Sequence, residues 1–319
     1  MKRHCYYLLL PLLSLLMSGC RHKDLWFGDT SASSVDVVFD WTKAQDANPE
    51  SMSLYLFDTE KASHPLHYVF SGRDGGSAEI PFGTYAALGL NADNTSWAVI
   101  TGGDDSESFE LSTLDAPTLR AYNLSPMSVP RSEASSGERV AATPHMAWSG
   151  RTDNIYLPAD TGRHTITVYP EEIVCHYTVD VLDVANIGGL SGASVDAVIS
   201  GMAEAYHCGH QQPSGNTVTH PFVLAADKAR GSLHSEFLTF GEHPEKKVSH
   251  ILTIYLYLTD GAKWSYDFDV TDQIRNASDP HHVHIVVRGL TLPDPQEGQG
   301  GGFIPTVDDW NYEHIDLDM

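Results

Sequence analysis

The chain has 319 residues, with 19 Lys and Arg against 42 Asp and Glu and a formal net charge of −23. That balance argues against nucleic acid as a partner and against adhesion to anionic lipid by charge, because both need clustered cations. The length suffices for a substantial core and would ordinarily make about two domains.

The chain opens with Met1-Lys2-Arg3, an apolar stretch from Tyr6 to Met17, and then Ser18-Gly19-Cys20. A basic start, a short apolar run and a small residue before a cysteine form a lipoprotein export signal. Cys20 is the expected first residue of the mature protein, its thiol taking a diacylglyceryl group. The apolar stretch is well short of the roughly 20 residues that span a bilayer. Residues 1–19 are therefore read as signal peptide and 20–34 as a lipid-anchored linker, and the expected location is the outer membrane, held through Cys20. Loss of the signal removes Lys2 and Arg3, leaving 17 cations against 42 anions, a charge of −25.

Period two dominates the chain beyond the linker. In Val35–Trp41 the odd positions are apolar and Asp36 and Asp40 stand between them, which suits a half-buried strand. Ser51–Asp58, with Met52, Leu54 and Leu56 on one face, reads the same way, and further strands are expected at 66–70, 85–90, 164–169, 175–184 and 283–287. Between them, residues 101–164 are polar and rich in Gly and Pro, and read as the end of one domain, a meandering connection and the start of a second. Ala193–Tyr206 carries the main hint of helix, with Val195, Val198, Ile199 and Met202 near helical spacing, although Gly201 weakens it. Residues 251–259 and 262–270 around Asp260-Gly261 predict a hairpin with a type I′ turn. Its core face holds Leu252, Ile254, Leu256 and Leu258 with Trp264, Tyr266, Phe268 and Val270; Thr253 is expected on the silent outer face. The fold class is all-β, two tandem sandwiches. The expected layout is 35–159 for the first, 160–292 for the second, a Pro/Gly spacer at 293–302 and a closing segment at 303–319. There Ile315, Leu317 and Met319 alternate with His314, Asp316 and Asp318, the pattern of a strand able to join its own sheet or exchange into a neighbour's.

Chemistry-bearing constellations are sparse. Cys175 and Cys208 could form a disulfide or stay as buried thiols, their separation matching no metal or redox spacing. His282 and His284 on one strand face are the best metal candidates, but Val283, Ile285 and Val287 claim the buried face, so exposed histidines are the expectation and no metal is assigned. Asp267, Asp269 and Asp272 lack the spacing of a calcium loop and read as a solvated face. No nucleophile elbow, zinc helix or phosphate-cradling loop is present, so no catalytic residue, enzyme activity or cofactor is expected.

Resemblance adds a family. Val37-Val38-Phe39-Asp40-Trp41, Asn48 to Phe57, Pro81 to Tyr85, Val168 to Glu172, Phe237 to Gly241, Asp269 to Gln273 and Gly302 to Trp310, following the Cys20 signal, resemble in their order the fimbrillin-like lipoproteins of Bacteroidales-type bacteria. Within these they are most similar to an uncharacterised lipoprotein domain group related to minor and anchor subunits of type V fimbriae. The resemblance implies two transthyretin-like sandwiches and a role in anchoring or assembling surface fibres by strand exchange, with other fimbrial subunits or surface proteins as partners. It implies no catalytic residues. Arg21-His22-Lys23 departs from the acidic run that marks surface display, so the leaflet stays open. The other functional class is a glycan- or protein-binding surface lipoprotein without a fimbrial role.

Overall fold

The computed structural model of the chain describes residues 32–294 and 310–315, single positions 62, 94, 122 and 161 aside. Its first strands are β1 (Ala32–Phe39), β2 (Ser51–Asp58), β3 (Leu66–Ser71), β4 (Gly75–Pro81) and β5 (Gly83–Leu90). Next come β6 (Ala98–Thr101), β7 (Glu110–Thr113), β8 (Arg139–Val140), β9 (Trp148–Leu157), β10 (His164–Val168) and β11 (Glu171–Glu172). The second half contains β12 (Cys175–Leu182), β13 (Ser194–His207), β14 (Gln212–Asp227), β15 (Ser232–Thr239), β16 (Ile251–Tyr257), β17 (Lys263–Asp269), β18 (His282–Arg288) and β19 (Trp310–Ile315). The chain is all-β, as its alternation requires.

The first sandwich packs the three-stranded sheet β10-β1-β4 on the five-stranded sheet β11-β9-β5-β2-β3. Val35, Val37 and Phe39 of β1 turn inward to meet Met52, Leu54 and Leu56 of β2, with Ile80, Ile166 and Val168 closing the layer. Each such side chain, once removed from water, stabilises the fold by roughly 1.5–3 kcal/mol. β10 lies parallel to β1, Val35 opposite His164 and Phe39 opposite Val168, and β11 pairs with β9. The expected domain boundary at 159/160 is corrected by these ladders, which keep residues 164–172 in the first sandwich. The polar region 101–164 is corrected too: β7 pairs with β13 and β8 with β14, so it contributes to the second unit before β9 returns to the first.

The second unit is one ladder, β18-β12-β15-β14-β13-β16-β17-β19, that turns over on itself at β14 and β15. Its two halves enclose a single core. Tyr177, Val179 and Val181 from β12 and Val283, Ile285 and Val287 from β18 meet Val195, Ala197 and Ile199 of β13 and Leu252, Ile254 and Leu256 of β16. The hint of helix over 193–206 is wrong: β13 is paired along both edges, and it shows no clean alternation because one face lies on the second sandwich's core and the other under segment 114–138. Gly201 marks a bulge there: its φ is +80°, and an added Cβ would lie 2.8 Å from Ser249 O.

The hairpin register is as expected, Leu252 opposite Phe268, Ile254 opposite Tyr266 and Leu256 opposite Trp264. Its turn differs. Gly261 N donates to Leu258 O and Leu258 N to Ala262 O, with left-handed φ confined to Gly261, so the loop is a type I turn followed by a glycine bulge rather than type I′. The silent outer face is also a correction. Segment 114–138 lies across β13 and β16, placing Leu119 and Val129 on Val198 and Tyr255, while Ala121 N donates to Asp196 and Tyr255 OH to Pro130 O. Thr253 is accordingly buried.

A third core joins the sandwiches. Phe57, Ala86, Leu88 and Leu90 from the first pack on Phe109, Leu111, Ala203, Tyr206 and Phe240 from the second.

Candidate functional site: the edge carrying the terminal strand

β17 pairs antiparallel with β16 on one side and parallel with β19 on the other, running from Lys263 opposite Trp310 to Phe268 opposite Ile315. Among the described strands β19 forms one edge of the ladder and β18 the other. Its alternation puts Trp310, Tyr312 and His314 on one face and Asn311, Glu313 and Ile315 on the other. Residues 311–314 are exposed, and the ends do the packing. Trp310 meets Tyr255 and Tyr257 edge-on, with ring centroids 5.5 and 5.3 Å away, and Ile315 lies against the second sandwich's core.

Polar contacts fix the register. Asn311 Nδ2 donates to Lys263 O over 3.1 Å, and Tyr312 OH donates to Asp267 Oδ2 over 2.9 Å. The other oxygen of Asp267 accepts the Thr253 hydroxyl at 2.5 Å. Burial and then that hydrogen bond with Asp267 push the Tyr312 hydroxyl up to about 12, so it stays a donor at neutral pH. Asp267 is 1 % exposed, which corrects the solvated face expected for it. Its role is visible only once β19 is in place, because the sequence puts it on the outward side of a hairpin. Leu317 and Met319 of the expected exchange segment lie outside the described residues, as does Cys20.

The histidine candidates are held apart. His282 Nδ1 lies 2.9 Å from Asp279 and His284 Nε2 2.7 Å from Asp180, both rings being mostly exposed. Asp180 also meets His234 at 2.8 Å; burial pushes its carboxyl up, but the hydrogen bonds with His234 and His284 outweigh that and hold it below the usual range. No group of three or more His, Cys, Asp or Glu among the described residues has the geometry to hold a metal ion. Cys175 and Cys208 are separate buried thiols, the former in the core of the second sandwich and the latter in the joint core, so of the two sequence alternatives the structure contains the unbridged one. Burial, ahead of nearby carboxylates for Cys175, pushes both up to about 12, which leaves them protonated. No helix among the described residues is long and apolar enough to cross a membrane.

Residues 19–223 match the family described as a domain of unknown function, DUF5119. The chain belongs to that family. No curated protein is similar to it. Among solved structures it is similar to a candidate adhesin from Bacteroides ovatus, at 18% identity and a TM-score of 0.61 over 87% of this chain and 99% of that one. It is also similar to the fimbrial anchor protein Mfa2 from Porphyromonas gingivalis, at 12% identity and a TM-score of 0.51 over 81% of this chain and 90% of that one. At such identities the likeness is one of fold, and it bears out the all-β fold that the resemblance implied.

Proposed function

We propose that the protein is a minor or anchor subunit of surface fimbriae, held at the outer membrane through lipid on Cys20 and joined to other subunits through strand edges. The observation that carries this reading is β19, a strand on one edge of the ladder gripped mainly by Trp310, Ile315 and the Tyr312–Asp267 hydrogen bond. An edge strand that contributes little burial is the part of a sheet most readily exchanged for, or extended by, a strand of another chain. The likeness of fold to a fimbrial anchor protein and the export signal ending at Cys20 support it. The chemistry is pairing rather than catalysis.

Fibres sheared from cells expressing a tagged copy give the test. The protein is expected to co-purify with them, and Cys20→Ala is expected to abolish labelling by a palmitate analogue and release the protein from membranes. A Cys20→Ala variant still labelled and still sedimenting with membranes would overturn the anchoring; absence of the wild-type protein from the fibres would overturn the fimbrial role.

A further inference from the structure

Only three residue pairs hold β14 to β15, Ala225, Ala226 and Asp227 opposite His234, Leu233 and Ser232. Beyond them the strands part, β14 continuing along β13 and β15 along β12. A cleft of about 390 Å³ opens in this seam between Pro221–Val223 and Ser235–Phe237, with the loops at Ala116–Arg120 and Ala142–Thr143 as its rim. That is within the size range of pockets for small ligands.

The floor is aromatic. Phe222 and Phe237 stack at 4.1 Å with planes 19° apart, and both belong to the core of the second sandwich, so their outer surface is fixed in place. Around it stand the hydroxyl-bearing residues Ser235, Thr118 and Thr143. Arg120 at the rim is the informative residue. Arg139, Arg151, Arg163, Arg230, Arg275 and Arg288 are each paired with a carboxylate, and Arg73 and Arg131 donate to the main-chain carbonyls of Gln45 and Glu138. Arg120 makes no ion pair or hydrogen bond to any described residue. Its five donors form a planar fork matched to a carboxylate, so the cleft offers a carboxylate site that no described residue fills.

We propose that this seam binds an acidic saccharide, a uronic acid residue or a related sugar acid. The sugar carboxylate takes the Arg120 fork, the apolar face of the ring lies on the Phe222–Phe237 pair, and the hydroxyls of the sugar reach Ser235, Thr118 and Thr143. An extended peptide fits less well. The edge of β14 is already taken by β8 at Val218 and Thr219, and Ala141 O is hydrogen-bonded to His220 Nδ1. Pro221 has no N–H to offer, so an added strand would find few main-chain partners there. This inference stands apart from the fimbrial reading: a subunit of any fibre could carry such a site.

Titration of the purified protein with methyl glucuronide, methyl glucoside and acetate, followed by amide NMR, tests it. The glucuronide is expected to bind saturably, moving the amide signals of Thr118, Thr143 and Ser235, at least tenfold more tightly than either of the others. Arg120→Gln is expected to weaken it at least tenfold with the melting temperature unchanged, since Arg120 is exposed. Equal binding of glucuronide and glucoside, equal binding of glucuronide and acetate, undiminished binding by the Arg120 variant, or no saturation by glucuronide at about 10 mM would each overturn the proposal.

Discussion

His220 is fully buried, its Nδ1 donating to Ala141 O over 2.9 Å. Burial pushes it down to about 4 from an ordinary 6.5. Folded His220 therefore resists a proton that the unfolded chain accepts, so its contribution to stability is complete above about pH 6.5 and is lost as pH falls toward 4. The loss reaches about 3 kcal/mol, from a difference of about 2.5 pH units at 1.36 kcal/mol each. Urea unfolding at about pH 7 and pH 4.5 should show a steeper loss for the wild type than for His220→Asn, which retains a donor toward Ala141 O but does not titrate. Identical pH slopes would refute the assignment. The inward positions of most strands were legible at this scale because alternation alone fixes them, as with Val35, Val37 and Phe39. Thr253 and Asp267 were not. Both lie on the outward side of their hairpin, and they are buried only because segment 114–138 and β19 cover that side, which no local period reports.

Among elements, strands that keep an apolar alternation or a clear turn were readable, and β13, covered on both faces and apolar along most of its length, was not. β12 alternates strictly, Cys175, Tyr177, Val179 and Val181 in and His176, Thr178 and Asp180 outward. β13 is buried along nearly its whole length, so its apolar residues carry no period, and the bulge at Gly201 breaks whatever register remains. β19 shows a further limit: its exposed middle residues say little about which edge it joins, and the partner is chosen by Trp310 meeting Tyr255 and Tyr257. Trp310→Ala is therefore expected to destabilise the protein by about 2 kcal/mol, less than a fully buried Trp because the side chain is half-buried. Hydrogen exchange should locate the effect. The β17 amides that face β19 should exchange faster in the variant, while those of β12 should be unchanged. Unaltered exchange along β17 would show that Trp310 does not hold the strand in place.

At the scale of the whole molecule, what the sequence hides most completely is that the two sandwiches share a core. A spacing of polar residues such as 101–164 reads as a connection, yet it contains Phe109, which is fully buried against Tyr55 and Phe57 of the first sandwich at ring distances of 5.0 and 6.2 Å. Cys208 N donates to Phe109 O, tying the same residue to the end of β13. Beside it Arg151 of β9 pairs with Glu107 and donates to Gly209 O over 2.7 Å, so a charged clamp closes over the apolar joint. Domains joined through a small polar interface move and unfold separately, whereas an interface built like a domain core couples them. The two sandwiches are accordingly expected to unfold in one calorimetric transition. Phe109→Ala, which leaves a cavity between them, should lower stability by about 3–5 kcal/mol and split that transition into two, because the site it empties belongs to both cores at once. A variant that melts lower but still in a single step would mean that the remaining contacts of Leu88, Leu90, Tyr206 and Phe240 are enough to couple the halves. Two transitions already present in the wild type would mean that the joint core does not couple them at all.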